Sequence, residues 1–267
     1  FWFATDEMVI IPDMGAVHYF NEQGAWVESR KVSPMPPPRG FLDKNHMIMV
    51  PRTVFEIGGG KGYFSVVDLN DDAKSRDLFE ISDLFKGGFA QVGEDVMDVL
   101  VPGLSPMVEV GISQDFIVYG SSSQYNLIIV DPQGRKTGSF GIDRKKTPVS
   151  HARIAEHLKT MGLPEDKIMP LAKTFPEELV CFEDIQIVGN RIWVQQPRLD
   201  RHYDTLTYDI FSTEGVYLYR ADMHLPEGEF LKSPFKNHFI RGDRMVAVVE
   251  KEDGSLNVAC YRIRIPE

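Results

Sequence analysis

The sequence repeats one short pattern: two apolar, strand-like segments and then a tight reversal in which a polar residue stands three positions before a glycine. The reversal occurs at Asn21 and Gly24, at Asp131 and Gly134, and at Ser212 and Gly215. A polar side chain at the first turn position can bond back to the backbone, and glycine accepts the positive φ that closes the hairpin. A chain with this repeat is expected to fold into several similar antiparallel β units.

Five short apolar segments rich in β-branched residues supply the strands of this repeat. They are "EMVIIPD" (7–13), "HMIMVPR" (46–52), "DFIVYGS" (115–121), "RIWVQQP" (191–197) and "RMVAVVE" (244–250). Each is short and bounded by turn formers or charge, which favours a strand over a helix, and each is followed by a second strand. A more variable strand precedes several of them, in "PPPRGFLD", "SPMVEVGIS" and "LVCFEDIQIVG". A repeated four-stranded antiparallel unit predicts an all-β fold of β-propeller blades, with two stacked sandwiches as the alternative.

The second unit and the segment after it depart from the pattern. In "VVDLND" (66–71), Asp71 stands where the other turns have glycine, and aspartate tolerates positive φ less readily. Residues 72–106 form an insertion in which a short helix at 77–85 competes with an outer strand.

A second insertion, about 148–170, carries a helix. Ser150 is placed to cap it, Val149 and Ile154 can pack as a hydrophobic staple across the cap, and Gly162 can end it. We therefore predict one amphipathic helix between the third and fourth blades.

These elements resemble the six-bladed β-propellers of the TolB-like and NHL-like group, in particular exported bacterial proteins of that group. The phrase "GNRIWVQQP" (189–197), the hairpins "VDPQG" and "FNEQG", and the helical insertion before "FPEELVCFEDIQIVGNRIWV" carry the resemblance. It implies a single propeller domain over residues 1–267 and an extracytoplasmic location in the periplasm, on the outer membrane surface or outside the cell. Five units are recognisable where the group has six. We therefore expect the native polypeptide to extend upstream of Phe1, where a lipid anchor could also lie.

Charge and hydropathy exclude two classes of partner. The formal net charge of −10 repels nucleic acid, and the basic cluster Arg144-Lys145-Lys146 is expected to be a solvated hairpin end. No stretch approaches the roughly 18 uninterrupted apolar residues of a membrane-spanning helix. We expect neither nucleic-acid binding nor a membrane span.

The two cysteines, Cys181 and Cys260, lack metal-type spacing and lie among apolar neighbours. Buried free thiols are expected, with a disulfide as the alternative if their strands are neighbours.

The sequence carries no local catalytic motif. His-Glu-x-x-His, Gly-x-Ser-x-Gly and a Walker phosphate loop are all missing from it. The glycine-rich "EIGGGKGYF" (56–64) leads into a strand, so we interpret it as a hairpin tip, and "DRHYD" (200–204) as a polar loop. We predict no catalytic residue, no metal ligand and no cofactor.

Loops that follow the apolar strands are expected to gather at the ends of a propeller's central channel, where they can form a binding surface. The residues predicted to bind a partner there are Arg52, Ser121, Tyr125, Arg198, His202 and Tyr203. The first hypothesis is a non-catalytic scaffold subunit at a bacterial cell envelope that binds a protein or another ligand. A protein partner within an envelope complex is the expected case. The alternative is a metal-dependent hydrolase or lyase with its site in the channel.

A third hypothesis, carbohydrate binding, would use Trp2, Trp26 and Trp193 as stacking surfaces. Core packing is expected instead for Trp193, because Ile192 and Val194 flank it.

Overall fold

The structure is a computed structural model in which all but two strands belong to five four-stranded antiparallel sheets. It describes residues 3–4, 8–13, 15–21, 23–32, 38–49, 62–70, 74–81, 90–92, 95–97, 101, 103–160, 162–199, 204–231 and 238–264. The fold class predicted from the sequence is confirmed: the described residues are mostly β, form five propeller blades and include two short helices.

The blades follow one another along the chain. Blade 1 contains β1 (Phe3–Ala4), β2 (Val9–Pro12), β3 (Ala16–Phe20) and β4 (Trp26–Lys31), and blade 2 contains β5 (Pro38–Phe41), β6 (His46–Met49), β7 (Gly62–Asp68) and β8 (Lys74–Ile81). A two-stranded sheet follows, with β9 (Ala90–Val92) and β10 (Asp95–Met97). Blade 3 contains β11 (Val108–Ile112), β12 (Ile117–Ser121), β13 (Asn126–Val130) and β14 (Lys136–Gly141).

The helices α1 (His151–Lys159) and α2 (Glu165–Ala172) separate blades 3 and 4. Blade 4 contains β15 (Asp184–Val188), β16 (Arg191–Gln195), β17 (Thr205–Ser212) and β18 (Tyr217–His224). Blade 5 contains β19 (Glu229–Leu231), β20 (His238–Arg241), β21 (Arg244–Lys251) and β22 (Leu256–Arg262). In blades 1 to 4 each strand pairs with its neighbours in sequence.

The five apolar segments lie in five different sheets, but the last has a different place from the other four. Four of them supply the second strand of their blade, whereas "RMVAVVE" supplies β21, which precedes the tight turn as the third strands do. One edge of β21 pairs with both β19 and β20, and its other edge pairs with β22. This segment therefore takes the third place in its blade, because the short β20 takes the second.

The predicted turns are confirmed. The glycines Gly24, Gly134 and Gly215 have φ of 76°, 86° and 85°. The side chains of Asn21, Asp131 and Ser212 each accept hydrogen bonds from backbone N–H groups two and four residues later. A fourth turn of this kind, from Lys251 to Gly254, closes blade 5. It was not predicted because Lys251 stands where the other three turns have Asn, Asp or Ser. Asp71 lies outside the described residues.

Two of the turn glycines are needed for packing as well as for φ. A Cβ at Gly134 would lie 2.1 Å from the carbonyl oxygen of Leu78 in β8, and a Cβ at Gly215 would lie 2.6 Å from the Phe140 side chain in β14. Each of these turns therefore rests on the last strand of the preceding blade.

The helical insertion contains two helices where one was expected. Ser150 caps α1 by accepting from Arg153 N at 3.2 Å, and Gly162 follows with φ of 75°, as predicted. The second helix, α2, contains Pro170 in its last turn and buries Ile168, Leu171 and Ala172 against α1. The spacing of these apolar residues by three and four positions is typical of a helix. It was not predicted because Pro164 and Pro170 lie close by, and proline disfavours a helix interior.

The insertion is also longer than predicted. Backbone bonds from Val149 to Glu177 and from Leu179 to Thr147 close its base, so it runs to about residue 178 rather than 170. In the other insertion, the strand alternative is confirmed as β8 over Lys74–Ile81.

Contacts divide the chain into two compact units. The first contains residues 1–86, 112–118 and 128–137, and the second contains residues 87–111, 119–127 and 138–267. The core of the first unit lies between blades 1 and 2, with Ile10, Val17, Tyr19, Val32, Met47, Met49, Val67 and Leu69. Cores of the second unit lie under the two helices and between blades 4 and 5. Among the described residues, no helix has the length and apolar character needed to cross a membrane.

We expect alanine at Gly215 to destabilise the protein more than alanine at Gly254, its control. Both glycines have positive φ, which costs about 1–2 kcal/mol for alanine, but only Gly215 faces a neighbouring side chain within 4 Å. Overpacking against Phe140 should add about 1–3 kcal/mol. Urea unfolding of both variants measures the free energies, and equal losses would contradict the packing role of Gly215.

Candidate functional site

Asp209 is a fully buried carboxylate in the middle of an apolar strand. Along β17, Leu206, Tyr208 and Ile210 pack into the core shared with blade 5. Because side chains alternate across a strand, Asp209 lies on the opposite face, with 0% of its side chain exposed. A buried carboxylate is stable only when donors surround it, so its partners define a site.

Four side chains donate to Asp209, and together these five residues are called the Asp209 site. Arg144 donates from Nη1 to Oδ2 at 2.9 Å and from Nη2 to Oδ1 at 3.2 Å. Arg220 donates from Nε to Oδ1 at 3.1 Å. The Gln196 amide and the Tyr125 hydroxyl donate to Oδ2 at 2.8 and 2.9 Å. Every lone pair of the carboxylate is thereby used.

The fold of the second unit brings these residues together from two blades. Arg220 lies directly opposite Asp209 in the pairing of β17 and β18, and Gln196 follows the end of β16. Tyr125 precedes β13 in blade 3, and Arg144 follows β14. The site therefore joins the last strands of blade 4 to two loops of blade 3.

Tyr125 is fixed as a hydrogen-bond donor. Its ring packs 5.6 Å from the Phe182 ring and 6.2 Å from the Phe211 ring, and the Arg144 guanidinium lies 5.7 Å from its centroid. Burial, and then the neighbouring Asp209 charge, raise the pKa of Tyr125 far above its usual value. The phenol stays protonated at every physiological pH.

The charges of the Asp209 site do not cancel. Two guanidinium groups surround one carboxylate, which leaves one net positive charge. The side chains of Arg144 and Arg220 are 29% and 43% exposed, so this charge reaches the solvent. In the described part of the chain, Arg220 donates only through Nε, and its two Nη groups have no protein acceptor.

A second polar cluster surrounds Glu183, just before β15. Its carboxylate accepts from the Arg198 N–H and from the Gln195 amide, both at 3.3 Å. Burial is the main cause that raises the pKa of Glu183 to about 8, and the nearby Glu109 and Asp184 carboxylates raise it further. Glu183 therefore titrates close to neutral pH.

The six predicted binding residues are distributed as follows. Tyr125 belongs to the Asp209 site, and Arg198 donates its backbone N–H to Glu183 and its guanidinium to the Thr205 carbonyl. Ser121 shares a 2.8 Å hydrogen bond with Ser123. The other three, Arg52, His202 and Tyr203, lie outside the described residues. A role in binding stays a prediction for all six.

Sequence reasoning missed Asp209 and misplaced Arg144. Arg144 was expected in a solvated hairpin end, yet it binds a fully buried carboxylate. The available signal was the lone acidic residue in "TLTYDIFS", since an aspartate between apolar neighbours in a strand requires a partner.

The cysteine predictions were partly wrong. Both thiols are free, and Cys181 is half-buried, but Cys260 is exposed on β22 rather than buried. Within the residues that the structure describes, no three His, Cys, Asp or Glu side chains are grouped so that they could hold a metal ion.

Of the three tryptophans, Trp193 is buried in the core as predicted, and its ring packs edge-on against Tyr208. Trp26 is exposed at the start of β4, and Trp2 lies outside the described residues.

Comparison with solved structures finds similar folds at low sequence identity. The chain is similar over 96% of its length to 76% of a DUF4221 family protein from Bacteroides vulgatus, with 9% identity and a TM-score of 0.49. It is similar over 96% of its length to 70% of BamB from Moraxella catarrhalis, with 14% identity and a TM-score of 0.31. It is similar over 92% of its length to 66% of the calcium-binding protein regucalcin from Agrobacterium tumefaciens, with 11% identity and a TM-score of 0.34. No family model and no curated protein matches the sequence.

We expect Asp209→Asn to destabilise the protein by about 3 kcal/mol, because it leaves two arginines facing each other without a counter-charge. Asp222→Asn is the matched control: this aspartate lies on β18, on the same face of the blade 4 sheet, but is exposed, and its loss should cost less than about 1 kcal/mol. Urea unfolding at neutral pH compares the two variants. Similar losses would show that Asp209 does not hold the site together.

The free energy of unfolding should fall as pH rises from about 4.5 to about 8. The folded chain keeps the Glu183 proton up to about pH 8, whereas the unfolded chain releases it near 4.5, so the folded state binds more protons between these values. Glu183→Gln should flatten this slope. Urea unfolding at about pH 5.5 and about pH 8.5 measures it, and an unchanged slope in the variant would contradict the raised pKa.

Proposed function

We propose that the protein is a non-catalytic β-propeller scaffold that binds a protein partner at the bacterial cell envelope, through the exposed side of the Asp209 site. The observation that carries this proposal is the composition of the site. It presents two partly exposed guanidinium groups and a phenol fixed as a donor, around a carboxylate whose lone pairs are all occupied.

Each member of the site supports recognition rather than chemistry. Arginine stays charged under all physiological conditions, and the Tyr125 phenol stays protonated because its pKa is raised. The lone pairs of Asp209 are all occupied, so it cannot accept a proton from a substrate without breaking an existing bond. A general base or a nucleophile requires the opposite properties.

The strand that contains Arg220, β18, presents both charged and aliphatic side chains around the site. Leu218, Arg220, Asp222 and His224 alternate along β18 on its exposed face, and Val216 is exposed just before the strand. Arginine beside exposed aliphatic side chains is typical of protein interfaces, where such residues act as anchors. We call these five residues the β18 face.

The resemblance of the sequence to exported six-bladed TolB-like and NHL-like propellers supports the envelope location. Membership of that six-bladed group is part of the proposal, as is a location in the periplasm, on the outer membrane surface or outside the cell.

A photo-activated cross-linking amino acid at Leu218 tests the binding surface in cells that produce the protein naturally. The same amino acid at Val258, exposed on β22, is the control. We expect a defined cross-linked protein from position 218 and little from position 258.

Equal cross-linking from both positions, or none from either, would overturn the proposal. Stoichiometric calcium or zinc in the isolated protein, lost together with a hydrolase or lyase activity, would favour the alternative enzyme function. The Glu183 pKa of about 8 is the one observation that supports this alternative, since proton-transfer groups work best near the ambient pH.

A further inference from the structure

We infer that the Asp209 site binds a carboxylate group of the partner protein through the free Nη groups of Arg220. The inference rests on the proposed function and names the chemical group that the surface recognises. It is carried by the charge imbalance of the site and by the geometry of Arg220.

The net positive charge of the Asp209 site favours the binding of an anion. Asp209 neutralises one of the two guanidinium groups, and no other carboxylate of the described residues forms an ion pair with either arginine. The carboxylates nearby have other partners: Glu178 lies 4.0 Å from Lys146, and Asp222, which keeps its charge, accepts from the Thr207 hydroxyl at 2.6 Å. A monoanion matches this single charge, whereas a phosphate dianion would exceed it.

Arg220 is already oriented for a ligand. Its Nε–H is bonded to Asp209 Oδ1, and its backbone lies in the β17–β18 ladder directly opposite Asp209. The side chain therefore loses little rotational freedom when a ligand binds. Two N–H groups of a guanidinium lie parallel at a spacing that fits the two oxygens of a carboxylate.

The exposed outer strand β22 offers a natural comparison. Arg262 also donates from Nε to an aspartate, Asp243, at 2.9 Å, but its side chain is 85% exposed and its partner 53% exposed. Among the described residues Asp243 pairs with this arginine alone, although Arg244 lies directly opposite Arg262 in the pairing of β21 and β22. The pair reproduces the local bond of Arg220 without a buried carboxylate shared by two arginines, so Arg262→Lys is a control for Arg220→Lys.

Nuclear magnetic resonance of the arginine Nε–Hε groups tests the inference on the full chain. Sodium acetate is the probe, and sodium phosphate and sodium chloride are compared at constant ionic strength. We expect acetate to shift the Arg220 signal in a saturable way.

Arg220→Lys should weaken acetate binding at least about tenfold, read from the remaining Arg144 signal, because a charged, paired hydrogen bond is lost. Arg262→Lys should change binding less than about twofold.

Urea unfolding of both variants shows whether they remain folded, and lysine keeps the positive charge in each. Three outcomes would overturn the inference: no saturable shift with acetate, saturation by phosphate alone, or equal weakening in the two variants. The cross-linking result at Leu218 is independent of the acetate titration. A partner captured there without acetate binding would reject the carboxylate and retain the scaffold.

Discussion

The buried Asp209 carboxylate is the interaction on which the second unit most depends, since it brings two guanidinium groups, an amide and a phenol to one point. An ionised carboxylate away from water is costly unless donors surround it. The hydrogen bonds that Asp209 of blade 4 accepts therefore fix the positions of Tyr125 and Arg144 in the loops of blade 3. The same requirement leaves more positive charge than one carboxylate can neutralise. The proposed recognition therefore depends on the same interaction as the stability of this unit.

The β architecture could be predicted because its signals are local. Asn21, Asp131 and Ser212 each lie three residues before a glycine, and the backbone adopts the expected turn at all three places. Alternation of apolar and polar residues then fixes which side of each strand faces the core. The second helix and the altered strand order of blade 5 were not predictable in this way, because Pro170 and the short β20 weaken the local pattern.

The Asp209 site could be predicted only in part because its members are distant in sequence. Tyr125 was predicted as a loop residue that binds a partner, but Asp209, to which it donates, lies 84 positions later in the chain. The local sequence around either residue does not identify the other. Arg144 looked like part of an ordinary charged loop. Only a buried charge inside an apolar strand pointed to the site, and a lone aspartate does not show which donors satisfy it.

The turn glycines have a consequence for the order in which the blades form. Gly134 rests on β8 and Gly215 rests on β14, and in both cases the supporting strand comes earlier in the chain. A new blade can therefore complete its last hairpin on a surface that is already present when it leaves the ribosome. Contacts of this kind couple nearest neighbours as in other repeat proteins, and they favour assembly from the amino-terminal end toward the carboxyl-terminal end.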